Sequence, residues 1–174
     1  MSEAQEIELD RPDWAIDPAE GVARATPFIQ GIVEGATAAG VVLGLSGGID
    51  SAVAAALAVR ALGPGRVHGV KMPYRTSSPE SAAHADEVAA ALGISTETVA
   101  ITPAVDAVRE LLPDMDPIRA GNVMARTRMI VLYDISHRDR TLVLGTGNRT
   151  EWLLGYTTLH GDAACGLNAV GQFY

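Results

Sequence analysis

Cysteine is nearly absent from the 174-residue sequence, and its scarcity excludes two kinds of site. Cys165 is the only one in the chain. A single thiol can form neither an internal disulfide nor a cysteine-based zinc site. Such sparse cysteine usage is typical of a reducing compartment, so we expect a cytoplasmic protein.

Basic residues are also few, with 13 Lys and Arg against 21 Asp and Glu and a formal net charge of −8. Electrostatic nucleic-acid binders normally carry a basic surface, and single-strand binders use aromatic platforms, whereas aromatics make up 5% here. No apolar run is long enough to cross a bilayer, and the acidic start does not resemble a secretory leader. We therefore expect no nucleic-acid or membrane partner, although local Arg and backbone N–H groups can still bind an anion.

Short apolar strands alternate with helical stretches along most of the chain. Strands are predicted at 41–45, 67–72, 94–101 and 141–144, and helices at 17–40, 52–62, 78–93, 103–112, 122–137 and from 151. Pro27 is expected to kink or interrupt the first helix. The fully apolar first strand indicates burial on both faces, so we predict an α/β fold with a parallel sheet and helices on both faces. Residues 1–16 form a polar lead-in, and residues 17–174 form a single domain.

A loop rich in glycine and serine follows the first strand. It reads Gly44-Leu45-Ser46-Gly47-Gly48-Ile49-Asp50-Ser51. Adjacent glycines let the backbone approach a ligand, and the N-terminus of the next helix, predicted near Ser51, adds free N–H groups. Both features suit a phosphate chain. Asp50 would repel phosphates unless Mg²⁺ lies between them; alternatively, this is a plain Gly-Gly turn in which Asp50 caps the helix.

The segment Ser46–Ser51 resembles the loop of the ATP-pyrophosphatase superfamily, whose members form adenylates and release pyrophosphate. Two further segments narrow the resemblance. They are Gly121-Asn122-Val123-Met124-Ala125-Arg126-Thr127-Arg128-Met129, and Leu144-Gly145-Thr146-Gly147-Asn148-Arg149-Thr150-Glu151 followed by Leu154-Gly155-Tyr156. In this order the three segments are similar to ammonia-dependent NAD synthetases, from about residue 20 to the end of the chain.

The resemblance implies a Rossmann-like fold of the adenine nucleotide alpha-hydrolase type, and it implies site residues. ATP would be bound by Gly44–Ser51 and Thr146, and deamido-NAD by Arg126. Asp50 and Glu151 would be the catalytic acids and would bind Mg²⁺. The implied reaction is ATP-dependent amidation of deamido-NAD by ammonia, through an adenylate, by a homodimer.

Other readings of these residues remain open. Glu151 could be an ordinary first-turn acid, and each Arg of the second segment could form a surface ion pair, the favoured reading for Arg128. The segment Met72–Ser78 lies where the family packs adenosine, but could equally be a loop and a helix cap. The four histidines show no metal-ligand spacing, and Cys165 is expected to be a packing residue.

The sequence departs from the family pattern in two places. Leu159 stands where many members have a substrate-binding Lys, and Gly166 stands where many have an acid. The sequence also stops where the family continues, so we expect the family's C-terminal segment to be missing from it. These departures leave two alternatives: a related ligase that adenylates another carboxylate, and an ATP-binding module that is catalytically incomplete.

Overall fold

A four-stranded parallel sheet forms the centre of the protein. The computed structural model describes residues 17–174, so the predicted polar lead-in at 1–16 lies outside the described residues. The strands are β1 (Val41–Gly44), β2 (Val67–Lys71), β3 (Ser95–Thr98) and β4 (Leu142–Val143). Their order is β3-β2-β1-β4, and every pairing is parallel.

Six helices connect and flank the strands within residues 17–174. They are α1 (Pro18–Gly35), α2 (Ile49–Leu62), α3 (Pro79–Leu92), α4 (Thr102–Leu111), α5 (Pro117–Asp139) and α6 (Arg149–Leu154). A 3₁₀ turn, Pro64–Arg66, precedes β2. In this part of the chain no helix has the length and apolar character required to cross a membrane.

The side chains of β1 alternate between two hydrophobic clusters, one on each face of the sheet. Val41 and Leu43 pack with α1, α2 and α3, whereas Val42 packs with α4 and α5. Leu43 is fully buried, and burying such a side chain contributes about 1.5–3 kcal/mol. The predicted fold class, a parallel sheet with helices on both faces, is confirmed.

Several helices begin or end at the capping residues that the sequence indicates. Asp17 accepts a hydrogen bond from the Ala19 N–H at 2.9 Å and so caps α1. Ser78 caps α3 through the Glu80 N–H at 3.2 Å. Gly93 ends α3 with a left-handed backbone, φ +67°, that glycine adopts without a steric penalty.

The structure differs from the sequence predictions in three places. Of the kink or interruption expected at Pro27, the interruption does not occur, because α1 continues to Gly35. Pro27 is exposed, so the carbonyl that loses its helical donor can be hydrated. The long helix α5 begins at Pro117 rather than 122, because Asp116 caps it through the Arg119 N–H. The third strand is shorter than the predicted 94–101, ending at Thr98.

Candidate active site

The first loop turns sharply between β1 and α2. Gly47 has φ +80°, and a Cβ there would lie 2.2 Å from the Ser81 carbonyl oxygen of α3. Glycine is therefore required both for the turn and for the close approach of α3. The Ser46 hydroxyl accepts from the Gly48 N–H at 3.2 Å, and the Ser51 hydroxyl donates to the Gly48 carbonyl at 2.9 Å. These bonds fix the loop conformation.

The N-terminus of α2 has no side-chain cap. Its N-cap residue is Gly48, so the helix begins at Ile49, slightly earlier than predicted. Asp50 lies inside the first turn, so it does not cap the helix as the alternative reading of this loop expects. Uncapped first-turn N–H groups and the positive end of the helix dipole favour an anion at this position.

The second loop leaves β4 and ends in a capping box. Asn148 accepts from the Glu151 N–H at 2.9 Å, and the Glu151 carboxylate accepts from the Asn148 N–H at 2.9 Å. Two N–H groups at the start of α6 are thereby satisfied. The Asn-x-x-Glu spacing is a known capping signal, so this contact could have been found from the sequence.

Asn148 also joins the two loops. Its Nδ2 donates to Asp50 Oδ1 at 3.4 Å, across 98 positions of sequence. Glu151, bound to the same Asn148, is thus brought close to Asp50 at the carboxyl edge of the sheet. The sequence indicates that both loops leave this edge, but nothing in it identifies Asn148 as the link.

The last described segment, 167–174, lies along the second loop and is hydrogen-bonded to it. Gly145 donates to the Leu167 carbonyl at 2.8 Å, and the Arg149 N–H donates to the Phe173 carbonyl at 2.7 Å. Between them, Asn168 Nδ2 donates to the Gly147 carbonyl at 2.8 Å. These supports were not predicted, because they are long-range contacts to backbone carbonyls.

A cavity of about 1060 Å³ opens where β1, β2 and β4 end, and we call it the strand-end cavity. Residues from both loops, from the start of α3 and from α5 line it, including Gly44, Leu45, Ser46, Met72, Ser78, Ser81, Arg128, Gly145, Thr146 and Asp162. Ligands of open α/β sheets bind in such crevices at the carboxyl ends of strands. The volume is sufficient for a nucleotide-sized ligand.

Three of the predicted ATP-binding residues of the first loop, Gly44, Leu45 and Ser46, line the strand-end cavity, as does Thr146. Ser51 is 3% exposed and its hydroxyl is bonded within the loop, so it shapes the cradle. Asp50 and Glu151 are half-buried in the loops that border the cavity. Their assignments to ATP, metal or catalysis stay predictions.

The two arginines of the second sequence segment differ in their surroundings. Arg126 is exposed and does not line the strand-end cavity; its Nε donates to the Leu159 carbonyl at 3.2 Å. Arg128 is half-buried, lines that cavity and donates from Nε to the Met72 carbonyl at 3.2 Å. Burial lowers the pKa of the Arg128 guanidinium. The favoured reading of Arg128 as a surface ion pair is therefore wrong.

Cys165 packs against the second loop. A Cβ on Gly145 would lie 2.8 Å from its Sγ. Burial raises the pKa of the Cys165 thiol, which disfavours the reactive thiolate. These contacts agree with the packing role expected for this residue.

The donor set between the loops suits a hard cation. Within residues 17–174, hydrogen bonds engage Oδ1 of Asp50 and Oε2 of Glu151, which leaves the second oxygen of each carboxylate available. Mg²⁺ is usually held by one or two carboxylates together with substrate phosphates. Within residues 17–174, no group of three or more His, Cys, Asp or Glu side chains could hold a metal ion.

Known proteins resemble this chain over most of its length. The NAD synthase family matches residues 21–174. The NH(3)-dependent NAD(+) synthetase of Chlorobium phaeobacteroides is 58% identical over 134 residues, which are 77% of this chain and 48% of that protein. The chain thus spans about half the length of the curated relatives it matches.

Solved structures give the same assignment of fold. An NH3-dependent NAD synthetase from Campylobacter jejuni, in complex with the nitrate ion, superposes with a TM-score of 0.87 at 39% identity and covers 92% of this chain and 69% of its own. The NMN synthetase of Francisella tularensis superposes with a TM-score of 0.85 at 32% identity and covers 91% and 66%. On the sequence match, the shared fold and the two loops at the strand ends, the chain belongs to the NAD synthase family.

Proposed function

We propose that this chain carries the chemistry of an ATP-dependent amide ligase that converts deamido-NAD and ammonia into NAD. One observation carries the proposal: Asn148 brings Asp50 of the first loop and Glu151 of the second loop together beside the strand-end cavity. Relatives named NH(3)-dependent NAD(+) synthetase support the substrate assignment.

The proposed reaction has two steps, adenylation and amidation. The nicotinate carboxylate attacks the α-phosphorus of ATP, a P–O bond to the carboxylate forms, and the bond to the β-phosphate breaks, releasing pyrophosphate. Ammonia then attacks the activated carbonyl carbon, the bond to the phosphate breaks, and AMP, NAD and one proton are released. Neither step requires a covalent enzyme intermediate, so positioning and charge neutralisation carry the catalysis.

The chain's own residues hold the reactants. The uncapped first-turn N–H groups of α2 and the Ser46 hydroxyl bind the β- and γ-phosphates that leave as pyrophosphate. Thr146, which lines the strand-end cavity, binds ATP from the opposite loop. Arg126, which is exposed and donates to the Leu159 carbonyl, binds deamido-NAD.

Asp50 and Glu151 would hold Mg²⁺ through their carboxylates. The bound metal would supply positive charge that offsets the charge of the ATP phosphates. Asn148 orients both acids from between them. Without these acids the phosphates could still bind, but their negative charge would not be neutralised by a metal.

Isotope-resolved product analysis tests this function. The protein is incubated with ATP, deamido-NAD and ¹⁵N-ammonium, and the products are separated by mass. We expect equal amounts of AMP, pyrophosphate and NAD with ¹⁵N in its amide. Formation of ADP and phosphate, or NAD without the label, contradicts the proposal.

A second candidate substrate is the acid counterpart of NMN. The likeness to an NMN synthetase and the departures at Leu159 and Gly166 favour it. Pyrophosphate release measured with deamido-NAD and with nicotinate mononucleotide separates the two. Faster turnover of the mononucleotide would move the assignment to the smaller acid.

We also propose that two copies of the chain pair. Large apolar side chains are exposed on α6 and just after it, among them Leu153, Leu154, Tyr156 and Leu159. Contiguous exposed apolar surface marks an interaction site more often than a solvent face. Sedimentation velocity should give a dimer mass, and a monomer at all concentrations contradicts this.

A further inference from the structure

Arg128 carries a charge that the described structure does not balance. It lies on α5, half-buried, at the wall of the strand-end cavity. None of the ion pairs within residues 17–174 includes it. A guanidinium remains protonated at neutral pH even where burial lowers its pKa. A desolvated cation without an acid is costly, and in a ligand cavity it indicates an anionic ligand.

The geometry leaves the binding part of this side chain available. Nε is held by the Met72 carbonyl at the end of β2, which fixes the plane of the guanidinium. Hydrogen bonds among the described residues engage no other nitrogen of Arg128. The two terminal nitrogens form a fork that matches two phosphate oxygens. The fork is thus oriented by the Nε contact and makes no hydrogen bond within the described residues.

Other groups around the cavity support a phosphate as the ligand. Gly44 and Ser46 of the first loop line the same cavity. Asp162 also lines the cavity, but it forms no ion pair with Arg128. Its carboxylate accepts hydrogen bonds from the Thr158 N–H at 2.7 Å and from the Thr157 hydroxyl at 3.2 Å. Arg126, the residue that the resemblance assigns to substrate, does not line the cavity.

We propose that Arg128 binds a phosphate group of the nucleotide in the strand-end cavity, as a ligand contact additional to Arg126. The inference rests on the proposed function, since both co-substrates of that reaction carry phosphates. The α-phosphate of ATP and the pyrophosphate of deamido-NAD are the two sources. Arg128 would neutralise part of the charge of that phosphate.

Calorimetric titration of the full chain with two probes distinguishes the sources. One is α,β-methylene-ATP with Mg²⁺, and the other is deamido-NAD alone. We expect Arg128→Gln to lower the affinity for one of the two probes by about tenfold or more, a typical loss for a charged bidentate contact. Arg128→Lys should recover part of the affinity, since it keeps the charge but not the fork. The matched control is Arg109→Gln on the exposed face of α4, which should bind both probes as the wild type does.

Unchanged affinity of Arg128→Gln for both probes overturns the inference. Should that variant not fold, the unaltered protein gives the answer: phenylglyoxal modification of Arg128, followed by peptide mass spectrometry, should slow several-fold when the probes are bound. A rate that neither probe alters also overturns it. Failure of the proposed function gives a different result, because the wild-type chain would then form no NAD.

Discussion

Asn148 performs two roles, and substitution can separate them. It caps α6 through its side-chain oxygen and contacts Asp50 through its side-chain nitrogen. A serine at this position retains a capping oxygen but has no group that reaches Asp50. The two roles therefore predict different effects for serine and alanine.

We expect Asn148→Ser to lower kcat/KM for pyrophosphate release by about tenfold, or about 1.4 kcal/mol, while the free energy of unfolding changes little. Asn148→Ala should show the same kinetic loss and should also lose about 1 kcal/mol of stability, because the cap is removed. Steady-state kinetics and urea unfolding measure the two effects. Full activity in the serine variant would show that the contact with Asp50 does not position it.

Gly47 and Gly63 share a positive φ but differ in the space around them, which allows a test of the close approach of the first loop to α3. Their φ angles are +80° and +81°, but a Cβ on Gly47 would meet the Ser81 carbonyl at 2.2 Å, whereas nothing lies within 4 Å of one on Gly63. Both alanine variants carry the cost of a positive φ. We expect Gly47→Ala to be less stable than Gly63→Ala by about 1–3 kcal/mol, the usual cost of overpacking, in urea unfolding. Equal losses would show that α3 moves away easily.

At the scale of elements, the edge strand β3 is fastened by a charged network. Glu97 accepts from Arg138 of α5 at 2.7 Å and contacts the His68 ring of β2 at 3.0 Å. His68 also contacts the Ser95 hydroxyl at 2.8 Å. The network joins three elements at a sheet edge that the described residues leave without a further strand.

This network predicts a pH dependence of stability. Hydrogen bonding from Arg138, and then from His68, lowers the pKa of Glu97. A lowered folded-state pKa contributes stability above the unfolded value, about 4.3, and that contribution is lost as the pH falls through the folded-state pKa. Glu97→Gln should therefore be less stable than the wild type at pH 7, and the difference should shrink below about pH 4. Urea unfolding across pH tests this, with Glu87→Gln on the exposed face of α3 as control.

The order of elements could be predicted from the sequence because local patterns determine it. Apolar runs such as Val41–Leu43, bounded by glycine, indicate buried strands, and caps such as Ser78-Pro79 begin helices. The errors arose where tertiary packing overrides local rules. Buried Ile29 and Val33 beyond Pro27 keep α1 continuous, although proline disfavours a helix interior.

The candidate site could be predicted in part for a similar reason. Parallel strands have their carboxyl ends at one edge, so loops that follow β1 and β4 must meet there. The contact between Asn148 and Asp50, and the burial of Arg128 against Met72, depend on tertiary distances that no local pattern encodes. Local sequence patterns predict the two loops, whereas the contacts between them are visible only in the structure.

At the scale of the whole molecule, the site joins parts of the chain that are far apart in sequence, so ligand binding should stabilise the entire fold. The first loop is anchored to β1 and α2, and the second to β4, α6 and the segment 167–174. A ligand that binds only the folded state adds about 2.7 kcal/mol to the free energy of unfolding at one hundred times its Kd. Global unfolding therefore reports binding even without turnover.

The proposed role of Asp50 as a metal ligand predicts that this stabilisation depends on Mg²⁺. Without the metal, the Asp50 carboxylate at the start of α2 should repel the phosphates, whereas a bound Mg²⁺ would link the carboxylate to them. In Asp50→Asn, we expect α,β-methylene-ATP alone to stabilise the protein more than it stabilises the wild type, and added Mg²⁺ to contribute much less. Urea unfolding with the analogue, with and without Mg²⁺, measures both terms, and Asp114→Asn in the exposed connection between α4 and α5 is the control. If Mg²⁺ stabilises Asp50→Asn as strongly as the wild type, Asp50 does not hold the metal, and the charge in the first loop needs another explanation.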